Sequence, residues 1–330
     1  MSDEDSCYRV EYTENGKRWF KNGKLHRDND RPAVIDYTEG IKLWYQNGEL
    51  HRDNDMPAII SDNGDKQWYQ HGLRHRDHGP ALIRSNGWKE WYQNGELHRD
   101  DGPAIEYSDA TKMWYQHGKL HRDNDKPAIE EADGSKEWYQ NGKKHRENGP
   151  AVESSSGYKA WYINGEYHRL DRPAIEVPGG VMEWRQKGIL HRDDGPAVIL
   201  PHCKTEWYKH GYLHREDGPA IEYDDGTKEW WQNNKLHRLD GPALELPNGD
   251  KFWYKHGLKH RKDGPAREDA NGRLKEWWIH GKLHRKPGPA VELPDGSKFW
   301  YDHGVPYNCC NTNHANGKHN NKKKKNSSTK

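Results

Sequence analysis

The chain is short of several things, and each shortage excludes something. No window stays apolar for 18 residues, so no helix of the sequence is expected to span a bilayer. The opening MSDEDSCYRV is acidic and holds no apolar stretch, which argues against a secretory signal and for a cytoplasmic, intracellular protein. Cysteine occurs four times, at Cys7, Cys203, Cys309 and Cys310, in a spacing that fits neither a zinc site nor a disulfide framework. Free thiols in a reducing compartment are the expectation. Net charge is only +1, so there is no global field to draw in nucleic acid or an anionic membrane. No segment carries apolar residues at i, i+3, i+4 and i+7 over three turns, which argues against helices. Phosphate loops, nucleophile elbows, Gly-x-Gly-x-x-Gly fingerprints and His-Glu-x-x-His are missing too.

Apolar residues make up 31% of the 330 positions and charged residues 32%, a balance that would ordinarily signal disorder. The 16 Trp and 18 Tyr contradict that. Aromatic rings bury large areas, so a polar chain with regularly placed rings predicts a thin structure without a deep core.

The placement of those rings is periodic. A His-Arg pair occurs at His26, His51, His75, His98, His121, His145, His168, His191, His214, His237, His260 and His284. The step is 23 residues, stretched to 24 or 25 in a few places. Twelve Pro-Ala pairs follow in step, from Pro32-Ala33 to Pro289-Ala290, and thirteen Trp keep the beat from Trp19 to Trp300. A fixed period of this size marks a stacked array of one supersecondary unit. The unit reads Pro-Ala-Ile-Glu-x-x-Asp-Gly-x-Lys-Glu-Trp-Tyr-Gln-Asn-Gly-Lys-Leu-His-Arg-x-Asp-Gly. Short β-branched and aromatic runs bounded by Asp-Gly and Asn-Gly predict strands joined by hairpins. In Ile129 to Trp138, a three-residue loop with Gly134 left-handed sets Glu130 against Lys136 and Ala128 against Trp138. A two-residue loop would oppose Glu130 and Glu137. Pro opens a strand, where no donor is needed. The recurring Ala predicts a Trp lying over it, and Trp-to-Trp contact between repeats predicts a continuous aromatic spine.

A 23-residue hairpin unit with Trp-Tyr-x-Asn-Gly, then Gly-x-x-His, then Gly-x-Ala resembles the MORN repeat, in the variant form typified by bacterial antitoxin-like proteins. The likeness covers residues 8–308. It departs from the usual Gly-x-x-His-Gly-x-Gly phrase in every unit: Arg follows His, and Pro-Ala replaces the later small residues. The resemblance implies an all-β, elongated, single-layer array of stacked hairpins acting as an interaction scaffold, with phospholipid binding proposed for some members.

His-Arg reads as chemistry or as a building part. One His per unit puts neighbours about 10 Å apart, from two strands at about 4.8 Å each. Zinc ligands must converge within about 2.3 Å of one ion, so a metal ladder is not expected, and catalysis does not need twelve copies. The structural reading is that Asp two residues before Pro, as in Asp101, Asp194 and Asp217, makes an Asx-type turn and accepts from Arg99, Arg192 and Arg215. The His ring would bond backbone of the adjacent unit. The structural ladder expected on these grounds contains Trp44, Trp68, Trp91, Trp114 and Trp138, the pairs His51-Arg52, His98-Arg99, His191-Arg192 and His214-Arg215, and Pro196-Ala197. A Lys stands two before Trp in eleven of thirteen units, and Lys66, Lys89, Lys112 and Lys228 represent a candidate polyanion face. The alternative is a stripe neutralised by cross-hairpin Glu. Trp and Tyr, pointing to opposite faces of a strand, are either core or a platform for sugars.

These readings assemble into an acidic, disordered start at 1–7, a repeat array at 8–308 about 110 Å long, and a disordered Asn/Lys-rich tail at 309–330 with Lys322, Lys323, Lys324 and Lys325. Arg9-Val10 and Tyr307-Asn308 replace the repeat phrases at the two ends and are read as caps. The expected function is a non-enzymatic scaffold with a protein partner and no cofactor. A lipid or polyanion array and a toxin-neutralising protein are the alternatives, and the ends of two arrays are candidates for pairing. Trp88, Val181, Met182, His202 and Cys203 break the pattern and mark candidate specificity points.

Overall fold

The computed structural model describes residues 7–307. The acidic opening before Cys7, and Asn308, Cys309, Cys310 and the lysine run of the tail, lie outside them. Within that range the regular structure is all β, with no helix among the described residues, and so none that is long and apolar enough to cross a membrane. The chain divides into two compact units, residues 7–201 with 208–211, and residues 202–207 with 212–307. Each is an open run of successive antiparallel hairpins, and both use the same repeat.

The first strands set the pattern. β1 (Tyr8–Thr13) pairs antiparallel along the whole of β2 (Gly16–Lys21), whose other side pairs with β3 (Lys24–Leu25) at one end and with β4 (Val34–Asp36) at the other. Later repeats keep this logic with shorter strands. Ile105–Glu106 pairs with Lys112–Met113, which pairs with Ile129–Glu130, while Tyr115–Gln116 and Lys119–Leu120 form a separate small hairpin. The result is a ladder of Pro-Ala and Lys-Glu strands flanked by a second row of two-residue strands. Single backbone bonds link members of that row, as in Gly118 N–H to Leu97 O at 2.9 Å.

The expected register is present. Glu130 lies opposite Lys136 and Ile129 opposite Glu137. Gly134 is left-handed at φ 90°, and its N–H donates to Glu131 O at 3.0 Å. The Asn-Gly turn is of the primed kind, with both central residues at positive φ, such as Asn47 at 53° and Gly48 at 90°. That twist matches the strands it joins. Asn tolerates the left-handed region, and so does His, which replaces it at His71, His117, His210, His256, His280 and His303.

The core is one residue thick. All twelve Ala of the Pro-Ala pairs are fully buried, whereas no large side chain is. Ala128 N–H donates to Glu137 O at 2.8 Å and Ala128 O accepts from Trp114 N–H at 2.8 Å, so the residue is fixed on both sides by backbone. The predicted aromatic spine is not formed. Among the described residues the ring pairs are His–His, Tyr162–Tyr167 and Trp88–Tyr107, and no two Trp rings meet. Successive Trp are two strands apart, roughly 10 Å at ordinary strand spacing, and ring contact needs centroids within about 7 Å.

Because Ala197 has no free space, Ala197→Leu is expected to cost about 1–3 kcal/mol through overpacking. A urea melt should show this as a lower midpoint; an unchanged midpoint would mean that the repeat yields there.

Candidate functional site

The His-Arg pair lies where the small hairpin ends and the loop to Pro-Ala begins. In all twelve repeats the guanidinium lies over the indole of the Trp seven residues before its His, with Arg Cζ 3.6–4.1 Å from the ring centroid. Arg192 shows the full set. It covers Trp184 at 4.1 Å, its Nε donates to Asp194 at 2.8 Å, and its Nη1 donates to Pro196 O at 3.3 Å. Gly195 closes the other side, since a Cβ there would lie 2.7 Å from Arg192 Cζ. The Gly of Asp-Gly-Pro thus lets the guanidinium approach closely; in one repeat Arg172 stands at this place, and Arg169 still covers Trp161 at 3.8 Å. Arg99 and Arg215 repeat the arrangement with Asp101 and Asp217, over Trp91 and Trp207.

Arg52 differs. Its loop is one residue longer, and its guanidinium forks onto Asp30 of the preceding loop, with Nε–Oδ1 at 2.7 Å and Nη2–Oδ2 at 2.8 Å. Arg76 and Arg146 fork onto Asp55 and Asp125 likewise. Trp44, Trp68 and Trp138 donate their indole N–H to the carbonyls of these same three Asp, and all three are buried. Trp91 and Trp114, which follow shorter loops, are half-buried.

The His ring reaches the next hairpin. In eleven of the twelve repeats Nδ1 accepts the backbone N–H of the left-handed turn residue about twenty positions on. For His98 the donor is His117 N–H at 3.1 Å, and for His191 it is His210 N–H at 3.3 Å. His214 is the exception, because its facing turn is Asn-Asn; its Nδ1 contacts Asn233 Oδ1 at 3.1 Å. With Nδ1 accepting, Nε2 carries the proton, and at His26, His51, His75, His98 and His121 it meets an Asp, as from His98 to Asp100 at 3.1 Å.

Where the turn residue is itself His, two imidazoles meet, nearly parallel for His191–His210 and tilted by 31–48° in the other pairs. Ring centroids are 4.6 Å apart for His51–His71, His98–His117 and His191–His210, and 4.3 Å for His237–His256. The sequence reading missed this second histidine. Its signal was the exchange of Asn-Gly for His-Gly, which places a ring on a turn already bonded to the first. Burial, then the neighbouring His256, holds the His237 imidazole below its ordinary pKa of 6.5, and burial and His280 do the same to His260.

The remaining candidates are accounted for in place. Lys89 lies opposite Glu106, Lys112 between Glu106 and Glu130, and Lys228 between Glu222 and Glu245. Lys66 alone of the four faces Ile60 and Ile83. Several of these Glu are also held by the Arg of the joint, as in Arg215 Nη1 to Glu222 Oε1 at 2.9 Å. The stripe is thus a two-sign ladder. The Tyr that follow the ladder Trp are half-buried throughout, whereas Trp44, Trp68, Trp138 and Trp184 are buried. Tyr139 Oη donates to Glu137 Oε2 at 2.7 Å, and burial, then Glu137, pushes the phenol well above its ordinary value. Of the pattern breakers, Trp88 packs on Tyr107 at 4.9 Å under Arg84, and Val181 and Met182 lie in a strand opposite Val177 and Glu176. His202 is a left-handed turn residue, and Cys203 beside it is an exposed free thiol.

One set of groups approaches the spacing of metal ligands. His284, Asp302 and His303 bring three donor atoms within 4.8 Å of one another. Their own bonds use these atoms: His284 Nδ1 accepts His303 N–H at 3.2 Å, His303 Nδ1 bonds Asp302 Oδ1 at 2.7 Å, and the Lys286 ammonium sits on Asp302 Oδ2. Compared with known proteins, the chain matches no family model and no curated relative.

Two outcomes follow from the joint. Arg192→Lys keeps the charge but loses the planar stack and the Nε donor, at a cost of about 1–2 kcal/mol; Asp194→Ala, on an exposed partner, should lower the urea midpoint far less. Acid should weaken the array through its histidines. His237 and His260 titrate lower in the folded chain than unfolded, so the unfolded chain binds more protons and stability falls as pH drops below about 6.5. Carboxylates held down by Arg stay ionised across that window. Thermal melts at pH 7.5 and 5.5 should show a lower midpoint in acid. A His256→Asn/His280→Asn chain, carrying the residue that other turns use, should show a smaller drop; an equal drop would rule out the paired rings as its source.

Proposed function

We propose that this protein is a non-enzymatic repeat scaffold of the MORN kind that binds protein partners. The observation that carries the reading is a division of labour within the repeat. The recurring polar groups, His, Arg, Asp and Glu, are bonded to one another and to backbone. Some of the positions that vary from repeat to repeat are exposed. The clearest such position follows the turn Gly. It is apolar and about half exposed at Leu73, Ile189, Tyr212 and Leu258, and more exposed at Val305. It is Glu or Lys at Glu49, Glu96, Lys119 and Lys143, all exposed.

Apolar side chains spaced among charges on a rigid frame suit recognition of a protein surface, where a few buried anchors dominate binding. The Lys/Glu ladder has both signs and offers a polyanion little net attraction. With no repeat-breaking cluster of unsatisfied acid, base and nucleophile, the reading requires no reaction.

The test is affinity capture by the tagged full chain from its native lysate at two salt concentrations, beside a Leu73→Glu/Ile189→Glu chain of unchanged circular dichroism. A discrete, near-stoichiometric protein held at both salts by the wild type and lost by the variant is the expected result. Recovery of only anionic lipid or nucleic acid, lost at the higher salt, would move the function to Lys66, Lys89, Lys112 and Lys228.

A further inference from the structure

β1 differs from the strands that follow it. It is six residues long, where the strands after β2 have two or three. It pairs with β2 on one side, and among the described residues nothing pairs with its other side. Natural edge strands are usually short or carry Lys, Pro or a bulge that discourages pairing. β1 reads Tyr-Arg-Val-Glu-Tyr-Thr, with Tyr8, Val10 and Tyr12 exposed by 54%, 39% and 73%.

The hydrogen-bond parity of that edge is fixed. Asn22 N–H donates to Cys7 O at 2.9 Å, one step beyond the pair Tyr8–Lys21. In an antiparallel pair the bonded positions alternate. Arg9 and Glu11 therefore bond toward β2, and Tyr8, Val10 and Tyr12 point their N–H and C=O outward.

We propose that β1 is a dimerisation strand that pairs antiparallel with β1 of a second copy, with Val10 on the two-fold axis. In that register Tyr8 faces Tyr12 of the other copy, Val10 faces Val10 and Tyr12 faces Tyr8. These three pairs are the outward-bonding positions, so they make six backbone hydrogen bonds. Arg9 faces Glu11 of the other copy twice. Such an isologous contact needs a self-complementary patch, and the strand is self-complementary in both charge and side-chain size.

The same residues select this register. A slip of one residue sets outward groups against inward ones and loses the bonds. A slip of two sets Arg9 against Arg9, or Glu11 against Glu11, and like charges directly opposite are destabilising. On the other face, Lys21 and Lys17 already hold the Tyr8 and Tyr12 rings at 5.2 and 5.3 Å, so the rings are in place to meet their counterparts. The occupant favoured is a second copy, because another protein's strand would need the same palindromic charge order. A contact of one strand per partner lies at the small end of interfaces, so the dimer should depend on concentration.

Sedimentation equilibrium of the full chain over a wide concentration range tests this. The wild type should pass from monomer to dimer. Arg9→Glu and Glu11→Arg should each weaken the dimer at least about tenfold, since each sets like charges together. An equimolar mixture of the two should dimerise again, as should the double variant Arg9→Glu/Glu11→Arg. Val10→Pro removes an outward N–H that β2 does not use, and should abolish the dimer without lowering the thermal midpoint. This variant decides the matter if a charge reversal unsettles β1 through Arg18. A chain that stays monomeric throughout, or a Val10→Pro chain that dimerises like the wild type, would overturn the proposal.

Discussion

Each repeat is organised around a guanidinium laid over an indole, and in eight of the twelve a glycine closes its other side. The Arg must be flat to lie 4.1 Å over Trp184 and still donate to Pro196 O and Asp194. Where the Gly is present, its missing side chain lets the guanidinium come close. The Pro opens the next strand with no donor to satisfy, while its carbonyl takes the Arg proton. The Ala after it must be small, because the chain passes there with no space left. Four apparently separate features of the sequence, His-Arg, Asp-Gly, Pro-Ala and the periodic Trp, are thus parts of one contact. That contact replaces the apolar core a thin array lacks: the ring buries against a cation whose Nη1 donates to the Pro carbonyl of the same loop, so part of its polar surface is matched where it is covered.

The histidine extends the same economy to the neighbouring repeat. Its Nδ1 satisfies a turn N–H in eleven repeats, and in five of them, at His26, His51, His75, His98 and His121, Nε2 also meets an Asp, so those rings are held in one tautomer by partners on both sides. This geometry resembles the setting of a catalytic imidazole, but the lone pair that a base needs is already spent. The positions the frame does not use are the exposed sites after the hairpin turns and, among the described residues, the outer edge of β1.

Much of this was legible in the sequence, because repetition turns a single reading into twelve. The period gave the unit, the Asp-Gly and Asn-Gly turns gave the hairpins, and opposite charge at Glu130 and Lys136 gave their register. Two things were not legible. The Trp were expected to touch each other, because a period of rings suggests a stack, but the strand spacing interposes about 10 Å and the guanidinium takes the ring face. The second histidine, as at His117 and His210, was hidden because His-Gly looks like a substituted turn. Only the turn's bond to His98 or His191 shows that a ring there must meet the first.

The two loop lengths show how such an array tunes itself. With Asp-Gly-Pro, Arg bonds its own loop and neighbouring repeats meet mainly through backbone. With one residue more, Asp30, Asp55 and Asp125 move to where the following Arg forks onto the carboxylate and the following Trp donates to the carbonyl. Each long loop thereby adds three bonds between adjacent repeats and buries the next indole. In a linear array stability is a sum of repeat terms and nearest-neighbour terms, so a one-residue insertion strengthens a particular junction and leaves the repeats themselves unchanged. The departures from a strict 23-residue step at these loops are where adjacent repeats are fastened most tightly.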